Sequence, residues 1–361
     1  MSSEFGKNIK FSVFGQSHGE AIGILIDGLP VGKTIDMDEV QAMMRRRAPG
    51  QSKLTTPRTE KDAPEILSGL MNHKTCGAPL CAIIRNTNTR SADYKALQNI
   101  PRPGHADYMA QLRYHGFQDD RGGGHFSGRL TAPLCLAGAI CRQILRSDGV
   151  EIGAHIYRIG SVQERLFDPS VETATQILQP GQKEFPVLQD EIGLKMQKEI
   201  LAAAKDCDSI GGGIECMAVG YPAGIGSPMF DGLENRLAQA LFGIPAIKGV
   251  EFGAGFKVAE MRGSENNDMF EKKDGKIRTK TNQHGGILGG ISSGMPIVFR
   301  VAMKPTPSIS RPQQTLNLQT GKQEELCIHG RHDPCVVVRA VPVVEAVMAM
   351  VLLDMLQKCE L

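Results

Sequence analysis

Apolar and polar positions alternate most clearly near the amino terminus. Phe11 to Gly15 and Ala21 to Asp27 read as two strands joined by the turn Gln16-Ser17-His18-Gly19-Glu20. The spacing then becomes helical. Asp36 can cap a helix, Glu39 completes a capping-box-like pair, and Val40, Met43 and Met44 share the face that would meet a core. That helix should end near Pro49-Gly50 and deliver Arg47 and Lys53 to the loop beyond. Pro79 to Arg85 reads as another strand. A second helix is expected from about Thr131, because Pro133 is tolerated in a first turn and costly later; it runs through Leu134, Ala137, Cys141 and Leu145 to Gly149.

Further along, Leu188 to Lys205 and Asn235 to Phe242 have helical spacing, and Ile214 to Val219, Val250 to Phe252 and Ile297 to Met303 read as strands. Residues 263–281 are polar, with Lys272-Lys273-Asp274-Gly275 at their centre, and read as an exposed, mobile excursion. A last helix, from about Pro342 to Gln357, is apolar nearly all round and should be buried in a core or an interface. Strands that pair through turns, with helices in separate blocks, favour an α+β fold in which helices cover antiparallel sheet. Thr75-Cys76-Gly77-Ala78-Pro79-Leu80 and Ser292-Ser293-Gly294-Met295-Pro296-Ile297 are alike and each leads into a strand, a hint of two related halves.

Composition narrows the class. The 361 residues include 41 Lys and Arg against 39 Asp and Glu, with no basic tail, which gives no argument for nucleic acid. The amino terminus lacks an apolar signal region, and the longest apolar run, Ala346 to Leu353, is too short to span a bilayer. The expectation is a cytoplasmic protein with no membrane partner. Nine cysteines without a Cys-x-x-Cys pair are most simply free thiols.

The candidate chemistry lies in turns. Arg102 to Arg129 holds His105 after a Pro-Gly turn, then Arg121, three glycines, and Ser127-Gly128-Arg129 ahead of the helix. Glycines let backbone approach a ligand, and open N–H groups at a helix start attract anions. The stretch can be the wall of an anion site or a surface turn with a capping serine. Arg45-Arg46-Arg47 with Lys53 and Arg58 suggests a small anionic ligand, or arginines that favour a helix dipole. Gly28 to Thr34 imitates a phosphate loop but has three residues between its glycines where four are needed. His284-Gly285-Gly286-Ile287-Leu288-Gly289-Gly290 lacks the Rossmann spacing. Cys327, His329, His332, Asp333 and Cys335 lack metal-ligand spacing, so no metal is expected. Arg331 and Asp333 can act together on an anion and a proton, or form a structural ion pair. Half a dozen cations, acid–base groups and many glycines point to a small polyanion and a phosphate-bearing cofactor.

At these residues the chain resembles the chorismate synthase family, nearly from end to end. GQSHGEAIGILIDGLP at 15–30, GGGHFSGRLTAPLCLAGAI at 122–140 and RHDPCVVVRAVPVVEA at 331–346 carry the likeness, supported by RPGHADY, DSIGG, HGGILGGISSG and KPTPS. The resemblance implies an α+β enzyme of the β-α-β sandwich type, neither Rossmann nor P-loop, spanning 1–361 as one domain. It implies conversion of 5-enolpyruvylshikimate 3-phosphate into chorismate and phosphate, an anti 1,4-elimination dependent on reduced FMN, in a homotetramer. Reduced flavin would lend an electron for C–O cleavage and take it back as the C6 hydrogen leaves.

Carried over by position, His18 would protonate or hold the reduced flavin, His105 would assist the departing phosphate, and Asp333 would help the C6 proton leave. Ser127, Ala246, Gly289, Lys304, Thr306, Ser308 and Arg331 should touch FMN, with His125, Phe126, Pro245, Pro305 and Pro307 beside them. Arg47, Arg129 and neighbouring cations should take the substrate's anionic groups, and Arg47 and Lys53 also fall where some members bind NADPH. Three places depart from the family's usual residues: Gln16, His125-Phe126 and Pro307. The rival expectation is another flavin-dependent oxidoreductase acting on a small polyanionic substrate.

Overall fold

The computed structural model describes residues 3–52, 54–56, 60–87, 99–273, 275–328 and 332–357. Two five-stranded antiparallel sheets organise these residues. The first comprises β1 (Glu4–Phe5), β2 (Lys10–Gly15), β3 (Ala21–Asp27), β4 (Glu65–Ser68) and β5 (Leu80–Arg85), in the order β1-β2-β3-β5-β4. The second comprises β6 (Glu151–Ile159), β7 (Val162–Gln163), β8 (Gly212–Val219), β9 (Ile247–Phe252) and β10 (Ile297–Met303), in the order β9-β10-β8-β6-β7. The main helices are α1 (Met37–Arg47), α2 (Asp107–Tyr114), α3 (Thr131–Ser147), α4 (Asp190–Lys205), α5 (Leu233–Phe242) and α6 (Val337–Leu356).

The hint of two halves is realised in the topology. With α2 and α4 set aside, β2-β3-α1-β4-β5-α3 and β6-β8-α5-β9-β10-α6 follow one scheme. In both, the strands lie side by side as first, second, fourth, third. The two similar hexapeptides enter β5 and β10, the fourth strand of each half, and a small hairpin precedes each of those strands.

Alternation explains the first sheet. Ile22, Ile24 and Ile26 are buried and pair with Ile84, Ala82 and Leu80 across the β3–β5 register. In the second sheet Ile214, Cys216 and Ala218 face Val301, Phe299 and Ile297 in the same way. The helices α3 and α6 lie between the sheets, α3 against β2, β3 and β5 and α6 against β6 and β8, and they pack on each other. Their crossing is close because Gly138 meets Ala346: a Cβ on Gly138 would stand 2.2 Å from the Ala346 Cα.

The all-round apolar character of α6 is matched by burial on every side. The helix starts at Val337, earlier than its proline suggests, so Pro342 lies inside it. Burial on all faces outweighs the one backbone bond that Pro342 cannot donate. Two carboxylates interrupt the apolar surface, and both are satisfied. Glu345 accepts from Arg46 at 2.7 and 2.8 Å and from Arg142 at 2.9 Å. Asp354 accepts from the N–H groups of Lys7, Asn8 and Ile9 and from Arg236, which ties the amino-terminal segment to the helix. Among the described residues no helix is long and apolar enough to cross a membrane.

Residues 263–281 form a helical turn at Gly263–Asn266 and a hairpin of Phe270–Lys273 against Lys276–Thr279. Asp268 accepts from Thr281, Gln283 and His284, and Arg278 donates to the Ser170 carbonyl at 2.8 Å. Phe270 and Ile277 remain exposed on it.

Two buried ionic groups give stability opposite pH dependences. Burial opposes ionisation of Glu345, but Arg46 and Arg142 outweigh it and hold its carboxyl below the usual range. His155 has a carboxylate at each ring nitrogen, Glu164 at 2.7 Å and Glu215 at 3.0 Å. Burial pushes His155 down, but these two partners push it further up, so the imidazolium is favoured. Stabilisation from Glu345 is complete above the ordinary glutamate value of about 4.3 and is lost as pH falls through its lowered one. Stabilisation from His155 is complete below about 6.5 and is lost as pH rises through its raised value. Urea unfolding at stepped pH should therefore show an acid limb, which Glu345 shares with the imidazoles His284 and His332 that burial keeps neutral, and an alkaline limb above about pH 6.5 to which His155 contributes. Each limb should approach a slope of about 1.4 kcal/mol per pH unit for each proton exchanged. In His155→Gln the alkaline limb should shrink; an unchanged limb would contradict the charged assignment.

Candidate active site

A cavity of about 600 Å³ opens where loops from both halves meet. Its wall takes His18 from the β2–β3 turn, Arg47 from the last turn of α1, and the Arg102–His105 segment ahead of α2. The glycine stretch before α3, the Pro245–Ala246 loop before β9, the loop after β10 and His332-Asp333 before α6 complete it. Among the described residues, Arg47, Arg102, Arg129, Lys248, Lys304 and Arg339 line it against only two carboxylates, Glu60 and Asp333. The lining carries four more positive charges than negative; Asp62 and Asp107 just behind it reduce the local surplus to two, which still favours an anionic ligand.

The glycine turn is not a simple helix start. Gly122, Gly123 and Gly124 all have positive φ, at 61°, 80° and 53°, which a glycine adopts without strain. The turn presses on the two histidines: a Cβ on Gly122 would stand 2.6 Å from the His18 ring, and one on Gly123 would stand 3.1 Å from the His105 ring. A 3₁₀ turn, Gly128–Leu130, then separates it from α3, and Ser127 caps that turn by accepting from the Arg129 N–H at 3.3 Å.

His105 is held from one side. Its Nδ1 lies 2.5 Å from Asp107 Oδ1, and Arg102 donates to both Asp107 oxygens at 2.7 Å. Burial raises the Asp107 carboxyl, but the hydrogen bonds from Arg102 and His105 outweigh it and hold the group far below the usual range. A third Arg102 nitrogen reaches Ser308 Oγ at 3.1 Å, so the loop after β10 is fastened to the same cluster.

Arg47 and Arg129 share one hidden carboxylate. Asp62, whose side chain is fully buried, adopts φ 47°, a conformation a non-glycine residue rarely takes. Arg47 donates to Asp62 Oδ2 at 2.8 Å, and Arg129 donates to Oδ1. Burial opposes ionisation of Asp62, and the two guanidinium groups overcome it and hold the carboxyl down. Arg47 also donates to Thr131 and to the Gly128 carbonyl, so its donors are largely committed. Arg129 Nη2, by contrast, is buried with no hydrogen-bond partner among the described residues. A buried donor left open on a cavity wall is what an anionic ligand would satisfy.

Asp333 accepts from the Thr56 N–H at 2.9 Å and from Arg339 at 2.5 Å, while its carbonyl accepts from Thr306 at 2.9 Å. Among the described residues its arginine partner is Arg339. Arg331, like Lys53, lies outside the described residues. Beside Asp333, His332 is pushed down to about 4, by burial first and by Arg102 and His105, against the pull of Asp333. It is neutral at pH 7.

Of the residues expected at the site, His18, His105, His125, Phe126, Ser127, Pro245, Ala246, Lys304, Thr306, Pro307, Ser308, Asp333, Arg47 and Arg129 all line the cavity. Gly289 does not: it sits in a small hairpin turn between Ile287–Leu288 and Ile291–Ser292. Pro305 does not line it either, and faces Gly211. Arg121 turns away to Asp119 and stays half-exposed. Arg46 points to Glu345, so the arginine run is split between core and cavity. His125, one of the unusual residues, faces the Gly15 carbonyl at 2.8 Å and Ser3 Oγ at 2.7 Å at the cavity rim. Ala246 has φ 76° and its carbonyl accepts from the Lys304 N–H, which locks two loops together. Of the cysteine–histidine group near 327–335, His329 lies outside the described residues, and among the described residues no cluster of three or more His, Cys, Asp or Glu able to hold a metal occurs.

Sequence reasoning missed Asp62, Asp107 and Arg339, and weighed His332 only as a metal ligand. Asp107 and Arg102 belong to the RPGHADY stretch, where the short spacing to His105 was a usable signal. Asp62 had none, because only folding brings it between arginines 15 and 67 residues away.

The comparisons agree with this geometry. The sequence pattern of the family described as chorismate synthase matches residues 9–357. The chorismate synthase of Korarchaeum cryptofilum is 46% identical over 350 residues, covering 97% of this chain and 96% of its own. That of Thermococcus gammatolerans is 47% identical over 350 residues with the same coverage, and that of Lancefieldella parvula is 46% identical over 367 residues, covering 99% and 96%. A crystal structure of chorismate synthase superposes with a TM-score of 0.76 at 28% identity, covering 98% of this chain and 93% of that one. With full-length sequence identity and a shared fold behind its cation-lined, two-histidine cavity, the chain is an enzyme that belongs to the chorismate synthase family.

Proposed function

We propose that this enzyme converts 5-enolpyruvylshikimate 3-phosphate into chorismate and inorganic phosphate by an anti 1,4-elimination, and that it requires reduced FMN. The observation that carries this reading is one cavity lined by His18, His105 and Asp333 together with six cations. The substrate brings a phosphate and two carboxylates, and FMN brings a further phosphate, which matches the surplus of positive charge. The residues fit the cofactor: Ser127, Ala246, Lys304, Thr306 and Ser308 all line the cavity and bring hydroxyl, ammonium and backbone groups that a phosphate and a polar ring system can use. When bound, reduced FMN supplies the electron that eases C–O cleavage.

The chain's own residues do the rest. Arg129, with an open donor, and Arg47 bind the anionic groups of the substrate. His105 assists the departing phosphate, and Asp333 assists loss of the C6 proton. His18, held against Gly122, keeps the reduced cofactor in place. A homotetrameric assembly and a cytoplasmic location complete the reading.

Phosphate release from 5-enolpyruvylshikimate 3-phosphate, assayed anaerobically with chemically reduced FMN, tests it. Many turnovers per reduced flavin, with chorismate formed in step, are expected. Consumption of one reduced flavin per product would replace the elimination with an oxidoreductase reaction.

A further inference from the structure

Asp107 is the first residue of α2 and lies behind His105 as seen from the cavity, whose wall includes His105 but not Asp107. Two neighbours compete for His105 Nδ1: Asp107 Oδ1 at 2.5 Å and Arg102 Nη2 at 3.0 Å. A guanidinium can only donate, and an ionised carboxylate can only accept. If Nδ1 carried a lone pair, it would face the Asp107 oxygen at 2.5 Å, lone pair against lone pair. If Nδ1 carries the proton, it donates to Asp107, and the Arg102 Nη2 hydrogen goes to the same oxygen at 2.7 Å. The second arrangement satisfies every group.

Asp107 is itself over-determined. Besides His105, it accepts from Arg102 Nε at 2.7 Å and from the Arg102 N–H at 3.1 Å. Arg102 is fastened in turn to Ser308. On the far edge of the ring, Nε2 and Cε1 pack on Gly123, in the turn that borders the cavity. The ring is therefore clamped at Nδ1, and its other nitrogen is available to exchange a proton.

We propose that Asp107, braced by Arg102, is a positioning residue that holds His105 as the Nδ1–H tautomer, so that Nε2 is the atom presented to the departing phosphate. The functional half of this inference rests on the elimination proposed above; the tautomer assignment does not. No bond to Asp107 forms or breaks, and it stays ionised throughout. Proton exchange takes place at His105 Nε2 alone.

The test combines ¹⁵N NMR of the imidazole nitrogens in the full-length enzyme with steady-state kinetics. In the parent enzyme, His105 (assigned by its loss in His105→Ala) should show a protonated Nδ1 and a bare Nε2. In Asp107→Asn, whose amide can either donate or accept, both tautomers should be populated. That variant should lose turnover by on the order of 10²-fold with KM changed by less than about threefold, and Asp107→Glu should recover part of the loss. Asp107→Asn should cost little more when His105 is already alanine. A protonated Nε2 with bare Nδ1 in the parent enzyme overturns the assignment, even if Asp107→Asn fails to fold. An equal kinetic loss in the alanine background overturns the positioning role. Absence of any phosphate release from the parent enzyme would instead count against the elimination, with the NMR result still deciding the tautomer.

Discussion

Replacing His105 by alanine should lower turnover by about 10²- to 10⁴-fold, the range for a positioned general acid or base, and leave the substrate KM within a few-fold. The split between kcat and KM follows from the geometry. The cations that would bind the substrate, Arg47 and Arg129, are organised by Asp62 and not by His105. Removal of the ring leaves Asp107 paired with Arg102, so no buried charge is orphaned and the fold should persist. Rapid-quench measurement of phosphate release, with circular dichroism to verify folding, would decide it. Turnover within about threefold of the parent would take His105 out of the chemistry and leave the cavity as a binding site alone.

Gly138→Ala should destabilise the protein by about 2 kcal/mol or more, although alanine is the better helix former. On an exposed helix the change would gain about 1 kcal/mol. Here the new Cβ would stand 2.2 Å from both Cα and Cβ of Ala346 and 2.7 Å from its carbonyl carbon. No rotamer relieves a clash made by Cβ itself, so α3 and α6 must move apart where both are buried between the sheets. Overpacking of that kind typically costs 1–3 kcal/mol and at times more, and two helix backbones are less yielding than a side chain. The measure is the urea midpoint at unchanged m-value. A midpoint equal to or above that of the parent would mean that the interhelical contact is looser than described.

Elements whose neighbours differ on their two faces were legible in the chain. The strands at 10–15 and 21–27 and the helices at 37–47 and 131–147 begin or end within a residue or two of their expected limits. The two strands and the first helix each have one buried face and one solvated one, so periodicity reports them; the second helix is buried on nearly every side up to Cys141, and its proline marked its start. The strand Glu151–Ile159 escaped notice for the converse reason. Residues 152–156 are buried in succession, between α6 on one face and the Ile177 segment on the other, and no alternation survives. The apolar helix at the carboxyl end was recognised as buried, but Pro342 misplaced its start, because local propensity yields to burial on all sides.

The site divides along the same line. His18, His105, Arg129 and Asp333 could be read directly from short stretches, since glycines, prolines and charged residues in turns carry their chemistry locally. Which of them share a pocket, and what each one touches, could not. Arg339, a helical turn beyond Asp333, donates to it, and nothing in the local sequence singled that arginine out. Gly289 and Pro305 belong to well-marked stretches and yet stand off the cavity wall.

The sequence by itself determined the α+β class, the family and the inventory of ionisable groups, because periodicity and local motifs encode these. The tertiary structure alone decided which charges neutralise one another and which remain for a ligand. Asp62 between two arginines, Asp107 behind His105, and Glu345 taking Arg46 into the core are pairings across 15 to 299 residues or across a turn. Electrostatic interaction falls with distance in space, and separation along the chain does not reveal that distance until the two halves have packed.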